Sequence, residues 1–395
     1  MREIIIVGPK EFPIPNVKGG AIQTLVTSLI DENEKEGSVF IHVITCANKE
    51  LDKLHYRFCE LIQIKTSFFA KLLCLAIHVI NKLFKIKKPA PSAYMMKVNR
   101  ILSKSKCKYV LFESGYSEIL NLKKTNQTII YHIHSDYINS ETRFISLLKT
   151  KVDFFLAISS FIKKQIVSAG FDEKKVFVFH NCVPVEEYSR PLLVEEIDGL
   201  KEEFSVGKDK FVFAYCGRLS EEKGCLELVL SFNKLCRQDC ALIIIGGSNF
   251  SSNKKTEYVK ELEKESLKNK NIIFTGYVNH KKVIDLIKIA NVGVIPSTCN
   301  EACSLALLEF RCAKIPTIAF DVGGIREFAG KSTLLVKKDE FLIDGLKNML
   351  DFSSIPQNYT NLLAKAIDDD NSIFSESNYY KEFIHLINRI DVFEE

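Results

Sequence analysis

Short β-branched runs alternate with longer amphipathic stretches along almost the whole of this sequence, and few folds accept that rhythm. The strand candidates begin with Glu3–Gly8, Phe40–Cys46, Tyr109–Glu113, Thr128–His134, Phe154–Ser159 and Val176–Asn181. A second series follows with Phe211–Gly217, Ala241–Gly247, Asn271–Gly276, Val292–Ser297, Ile315–Phe320 and Thr333–Val336. Most are continuous apolar runs, which suits parallel strands buried on both faces. Helical patterns such as Ala21–Glu36, closed by Gly37, and Leu226–Leu235 lie between them. Alternation of this kind predicts α/β architecture with doubly wound parallel sheets.

At 395 residues the chain is long enough for two such domains. The polar stretch Glu186–Lys210, with Pro184 before it and Pro191, Gly199 and Gly207 within it, interrupts the alternation and reads as a linker. The expected division is a Rossmann-like domain over 1–183 and another over 184–375. Ligands of such sheets bind at the carboxyl ends of the strands. Two facing sheets would therefore place a cleft between the domains, although architecture alone names no ligand.

Composition removes several other classes. Twelve cysteines lie mostly in apolar runs without paired Cys-x-x-Cys spacing, so they read as reduced, buried thiols of a cytoplasmic protein. The first residues lead into a strand rather than a signal peptide, and no stretch approaches the roughly 20 apolar residues of a membrane span. The net charge of +5 is uneven. Between Leu61 and Phe112 there are eleven Lys or Arg, Lys87 among them, and no Asp or Glu, leaving 43 basic against 49 acidic residues elsewhere. Phe68, Phe69, Leu72, Leu73, Leu83 and Phe84 are interleaved with these cations. Such a stretch can lie on anionic lipid, giving peripheral contact with an inner membrane face; the plainer alternative is a solvated basic face over a core helix. Nucleic acid is not an expected partner.

Two segments carry the chemistry. Cys216-Gly-Arg-Leu-Ser-Glu-Glu-Lys-Gly224 follows a strand and opens a helix, so Arg218 and Lys223 stand beside free amides and form an anion site. Pro296-Ser-Thr-Cys-Asn-Glu-Ala-Cys-Ser-Leu-Ala-Leu-Leu-Glu309 places Ser304 as a helix cap, Glu301 on the preceding loop and Glu309 more than one turn inside the helix. Carboxylates there can accept hydrogen bonds from sugar hydroxyls. His134 ends a strand at its carboxyl end and is a functional candidate. His132, deeper on the same face, reads as core. Asp368-Asp-Asp370 sits in a late polar stretch away from any strand end, and no metal site is expected there or elsewhere.

The order Gly-Arg-Leu-x-x-x-Lys-Gly, then Glu301 and Glu309, then Asp321-Val-Gly-Gly-Ile-Arg-Glu327 resembles retaining glycosyltransferase family four, the glycosyl transferases group 1. Val17-Lys-Gly-Gly-Ala21, Ala157-Ile-Ser-Ser160 and Val178-Phe-His-Asn-Cys-Val-Pro184 extend the likeness over roughly residues 1–350. The resemblance implies the GT-B fold, with an acceptor-binding domain over 1–183, a nucleotide-sugar-binding domain over 184–375, and a helix in 376–395 packing back on the first. Arg218 and Lys223 would hold the donor diphosphate, Glu309 the ribose, and Glu301 the hydroxyls of the transferred sugar. Cys303, Ser304 and Leu305 would face the donor through backbone amides, with Tyr277 and Val278 near the base. Gly19 and Gly20 would approach phosphate or acceptor, and His134 the reacting sugar. The implied reaction is retaining, metal-independent transfer of a hexose or N-acetylhexosamine, from a UDP-sugar by preference, with no cofactor. The acceptor would be a saccharide, lipid-linked in this expectation, in bacterial surface polysaccharide assembly such as capsule or lipopolysaccharide. Cys182, Cys303, Ser304, Phe310 and Lys314 depart from the residues usual in relatives and could reshape the sugar pocket.

Three rivals bear on this reading. A non-catalytic nucleotide-sugar-binding protein would be expected to have lost Arg218, Lys223 or a glutamate, and all are present. A nucleotide-sugar epimerase or a phosphorylase on a similar fold is the other alternative. An oxidoreductase would need Gly-x-Gly-x-x-Gly after the first strand, where Gly8 is followed by Pro9 and Lys10.

Overall fold

The structure, a computed structural model, describes residues 1–85, 88–113, 115–123, 126–247 and 256–394. Lys87 of the basic stretch lies outside the described residues. Two compact units are present, one formed by Met1–Cys182 with Glu376–Glu395 and the other by Val183–Ser375.

The first unit holds a seven-stranded sheet of β1 (Arg2–Val7), β2 (Val39–Cys46), β3 (Cys59–Ile64), β4 (Tyr109–Phe112), β5 (Thr128–Ile133), β6 (Phe154–Ala157) and β7 (Val176–Val178). The second holds β8 (Phe211–Cys216), β9 (Cys240–Ile245), β10 (Ile272–Gly276), β11 (Val292–Ile295), β12 (Thr317–Phe320) and β13 (Thr333–Val336). Their orders are β3-β2-β1-β4-β5-β6-β7 and β10-β9-β8-β11-β12-β13. Every pairing is parallel. In each sheet the order reverses beside the first strand, between β1 and β4 and between β8 and β11. Loops leaving the carboxyl ends at such a switch point diverge, which opens room for a ligand.

Strand β3 was not anticipated. Its sequence, Cys-Glu-Leu-Ile-Gln-Ile, mixes polar with apolar residues because it is an edge strand, bonded on one side by β2. The segment read as a linker is also different from expectation. It folds as helices Val185–Ser189 and Val194–Glu203 and belongs to the second unit, with Tyr188 and Leu200 buried in its core. Its polar residues are the solvent faces of short helices rather than the mark of a free tether.

Helix α1 (Ala21–Glu36) ends where Gly37 adopts the left-handed conformation and donates to Asn33 O. The last helix, Glu376–Glu394, packs within the first unit. Tyr380 donates to Asn33 Oδ1 at 2.7 Å, and Tyr379 stacks on Phe179 at 4.3 Å. Tyr379, Phe383, Leu386, Ile387 and Ile390 share a core with Leu25, Leu29, Ile4 and Ile6.

Helix α2 (Phe68–Leu83) buries only Cys74. Phe68 is 70% exposed, Phe69 80% and Leu83 72%, so this is not the covering helix of an ordinary core. No helix among the described residues is long and apolar enough to cross a membrane. The twelve cysteines form no disulfide, and Cys236 is exposed.

Candidate active site

In the second unit, β8 and β11 flank the switch point, and the loops that leave them are joined by backbone bonds. Thr298 N and Cys299 N both donate to Glu222 O, at 2.9 and 3.3 Å. Gly224 makes this approach possible. Its φ is +65°, and a Cβ there would stand 1.7 Å from Pro296 O. A third loop closes on the same place, because Gly324 N donates to Glu301 O at 2.6 Å. Gly323, with φ +55°, would drive a Cβ to 2.4 Å from that same oxygen. The two glycines of Asp321-Val-Gly-Gly-Ile-Arg-Glu327 thus hold the Glu301 loop from beneath.

The joined loops bring Lys223 and Glu301 together. Lys223 Nζ lies 2.6 Å from Glu301 Oε1, and Ser297 Oγ donates to the same oxygen at 2.5 Å. Glu301 is buried, while the Lys223 side chain keeps about a quarter of its surface. Arg218 is half-exposed and donates to Glu222 Oε1 at 2.9 Å. One carboxylate therefore restrains each cation, and both cations retain hydrogens that an incoming anion can use.

Ser304 caps helix Leu305–Cys312 by accepting from Leu307 N. Cys303 and Leu305 flank this cap and are half-buried. Glu309 is the fifth residue of the helix. Burial raises its pKa, against the electrostatic pull of His280, with the Tyr188 phenol beside it. Tyr188 and His280 sit edge to face at 6.4 Å, so a carboxyl, a phenol and an imidazole converge at this point. Tyr277, more than half exposed, and Val278, partly buried on the core, occupy the loop between β10 and the helix His280–Lys288.

Two departures from the usual family residues have local causes. Lys314 has φ +60°, the conformation that a glycine takes without strain. Phe310 fills space that Gly293 leaves open, since a Cβ on Gly293 would stand 2.4 Å from its ring. The Asp368-Asp-Asp370 string is structural. Asp368 pairs with Lys331, Asp369 is buried and accepts from Lys331 N, and Asp370 accepts from Ser372 N.

The remaining predicted residues lie in the first unit. Gly19 and Gly20 precede α1 with φ of +85° and +124°. Gly19 N donates to Asn16 Oδ1, and no side chain caps the helix. The first amides of α1 are therefore available to a ligand.

His134 follows β5 and keeps 12% of its side-chain surface. Its Nε2 is 2.6 Å from Glu113 Oε2, and His132 Nδ1 is 2.9 Å from Glu113 Oε1. His132 is wholly buried, as expected, but as half of a polar cluster rather than as an apolar core residue. Sequence reasoning missed Glu113, Ser297, Tyr188 and His280. Glu113 carried a signal, a carboxylate ending an apolar strand candidate. The separations of 2.6 and 2.9 Å are hydrogen-bond lengths. Two nitrogen or oxygen ligands on one tetrahedral ion stand about 3.3 Å apart, so these groups bond to one another.

Burial alone would raise the Glu113 pKa, but the two imidazoles outweigh it and hold the carboxyl at about 2. Burial pushes His132 down, and Glu113 only partly restores it.

The two parallel α/β units form the GT-B fold. Anabaena Alr3699/HepE in complex with UDP-glucose superposes with a TM-score of 0.74 at 16% identity, over 98% of this chain and 100% of that one. Residues 197–393 match the family model described as Glycosyl transferases group 1. The chain belongs to that family and is a glycosyltransferase. YtcC of Bacillus subtilis (strain 168), whose name carries a provisional glycosyltransferase assignment, is 24% identical over 82% of this chain and 75% of its own length. The lipopolysaccharide 1,2-N-acetylglucosaminetransferase of Salmonella typhimurium (strain LT2) is 27% identical over 42% of this chain and 45% of its own.

Proposed function

We propose that this glycosyltransferase takes a sugar from a UDP-sugar with retention and passes it to a lipid-linked saccharide in bacterial surface polysaccharide assembly. The observation that carries the donor assignment is the Lys223–Glu301 pair held across the β8 and β11 loops, with Arg218 beside it. Lys223 and Arg218 bind the diphosphate and stabilise the charge that grows on it as the sugar departs. Glu301 accepts from hydroxyls of the transferred sugar, and Glu309 accepts from those of the ribose. The Leu305–Cys312 helix offers its first amides beside Cys303 and Ser304, and Tyr277 and Val278 take the base. Gly19 and Gly20 approach the phosphate or the acceptor, and His134 stands against the reacting sugar. Catalysis is positioning and electrostatic stabilisation. With two cations on the diphosphate, this mechanism assigns no step to a metal or cofactor.

The UDP preference draws support from the UDP-glucose held by the HepE neighbour. A saccharide acceptor draws support from the lipopolysaccharide transferase relative. Helix α2 supports the lipid-linked form. Its 16 residues make about 24 Å of helix, and its exposed apolar side chains stand among Lys65, Lys71, Lys82, Lys85 and Lys88 without an acidic neighbour. That pattern suits a helix lying in the headgroup region of an anionic membrane, on the cytoplasmic face.

The test is a thermal-shift and hydrolysis screen against UDP-, GDP-, ADP- and dTDP-sugars with and without EDTA, beside flotation on neutral and anionic vesicles. UDP-sugars alone should stabilise the protein and be hydrolysed regardless of EDTA. Flotation should require anionic lipid and fail in a Phe68→Ser/Phe69→Ser variant. Response to another nucleotide, loss of activity in EDTA, or equal flotation on neutral vesicles would each remove the corresponding part.

A further inference from the structure

The Glu113 cluster defines which atom of His134 a substrate can meet. Glu113 stands directly after β4, and its backbone N donates to Val7 O at 2.9 Å. Phe112 pairs with Tyr131, so the next residues along, Glu113 and His132, are level on neighbouring strands. His132 and His134 are two residues apart along the chain and turn to one face. Their rings lie 4.1 Å apart, and the carboxylate reaches both.

A carboxylate held at about 2 is anionic at any working pH and can only accept hydrogen bonds. Each ring nitrogen facing it must therefore carry the proton. His132 donates from Nδ1, which leaves its buried Nε2 without a partner. His134 donates from Nε2, which leaves Nδ1 as its remaining nitrogen.

We propose that Glu113 is a positioning residue that locks His134 in the Nε2–H form and presents Nδ1 to a hydroxyl of the sugar or acceptor. His132 occupies the second carboxylate oxygen and stops the group from turning. The negative charge behind Nε2 makes Nδ1 a stronger acceptor, as a carboxylate does for any imidazole it backs. The other titratable groups in electrostatic contact with Glu113 are Tyr137 and Tyr379, whose phenols burial keeps protonated. Asp136, two residues beyond His134, is exposed.

This inference rests on the reading that His134 acts in transfer, but its structural half is measurable without activity. Long-range proton–nitrogen spectra of the full chain labelled in histidine nitrogen, assigned with His134→Gln, report the tautomer directly. Wild type should show Nε2 protonated and Nδ1 bare. Glu113→Gln should give mixed tautomers. The same variant should lose about 10- to 100-fold in kcat with little change in donor KM, and Glu113→Asp should recover part of that loss.

A protonated Nδ1 in wild type would overturn the proposal without any variant needing to fold. So would an unchanged tautomer in a folded Glu113→Gln. If His134→Gln retains full activity while the spectra show the Nε2–H form, it is the catalytic reading of His134 that fails, not the clamp.

Discussion

The two units repeat one strand order yet furnish their switch points in opposite ways. In the second, three loops are bonded backbone to backbone, and opposite charges, Lys223 and Glu301, are set against each other. In the first, a single buried carboxylate is shared by two imidazoles. A lysine held against a glutamate leaves ammonium hydrogens for a further acceptor, so it suits binding of an anion. A carboxylate shared by two imidazoles fixes which ring nitrogen carries the proton, so it suits presenting a chosen nitrogen to a substrate. The same scaffold thus carries a charge-pair site and a hydrogen-bonded imidazole site.

The largest expected effect breaks the charge-pair site. Lys223→Ala should lower donor hydrolysis and transfer by about 10²–10³-fold, read from initial rates, and leave the histidine spectra of the first unit unchanged. Next is a contrast between glycines. Gly224→Ala meets Pro296 O at 1.7 Å besides its positive φ, while nothing stands within 4 Å of a Cβ on Gly19. Denaturant unfolding should show a loss of about 3 kcal/mol or more for Gly224→Ala. Gly19→Ala should lose only about 1–2 kcal/mol. Similar losses would mean that the loops of the second unit are not held together as described.

The pH dependences should differ in sign. Glu113 is held at about 2, below the usual carboxylate value, and His132 is pushed below the usual imidazole value. At these two sites the folded first unit therefore binds fewer protons than the unfolded chain. Their contribution to stability is full above about pH 6.5 and falls on acidification, first from His132 and then, below about 4.3, from Glu113. Glu309 is raised, so its contribution is present at low pH and is lost as pH rises through its folded value. Glu309→Gln should then stabilise the protein at pH 8 by about 1 kcal/mol, or roughly 2–4 °C. The gain should vanish at low pH even as UDP-sugar binding is lost. Melting curves across pH check both signs.

Much of the second unit was legible because its chemistry is local. Arg218 and Lys223 lie seven positions or fewer from the end of β8, and Ser304 caps the helix that carries Glu309. The roles of Gly323 and Gly324 were not, since they depend on Glu301 approaching from another loop. The first unit was harder. His134 could be placed from its strand, but Glu113 is 21 residues away and meets it only through the β4–β5 register. Edge strand β3 lacks the apolar run of a doubly buried strand, and the helices in 185–203 were hidden by prolines and solvent-facing charges. The amphipathic character of α2 was plain from sequence, whereas its lack of a covering partner was not.

The central claim is that the second unit holds the nucleotide of the donor. Hydrogen exchange of the whole chain with and without UDP tests it most directly. Slower exchange confined chiefly to 217–224 and 299–309, and absent in Lys223→Ala, is the predicted result. Protection that avoids both segments, or none at saturating UDP, would contradict it.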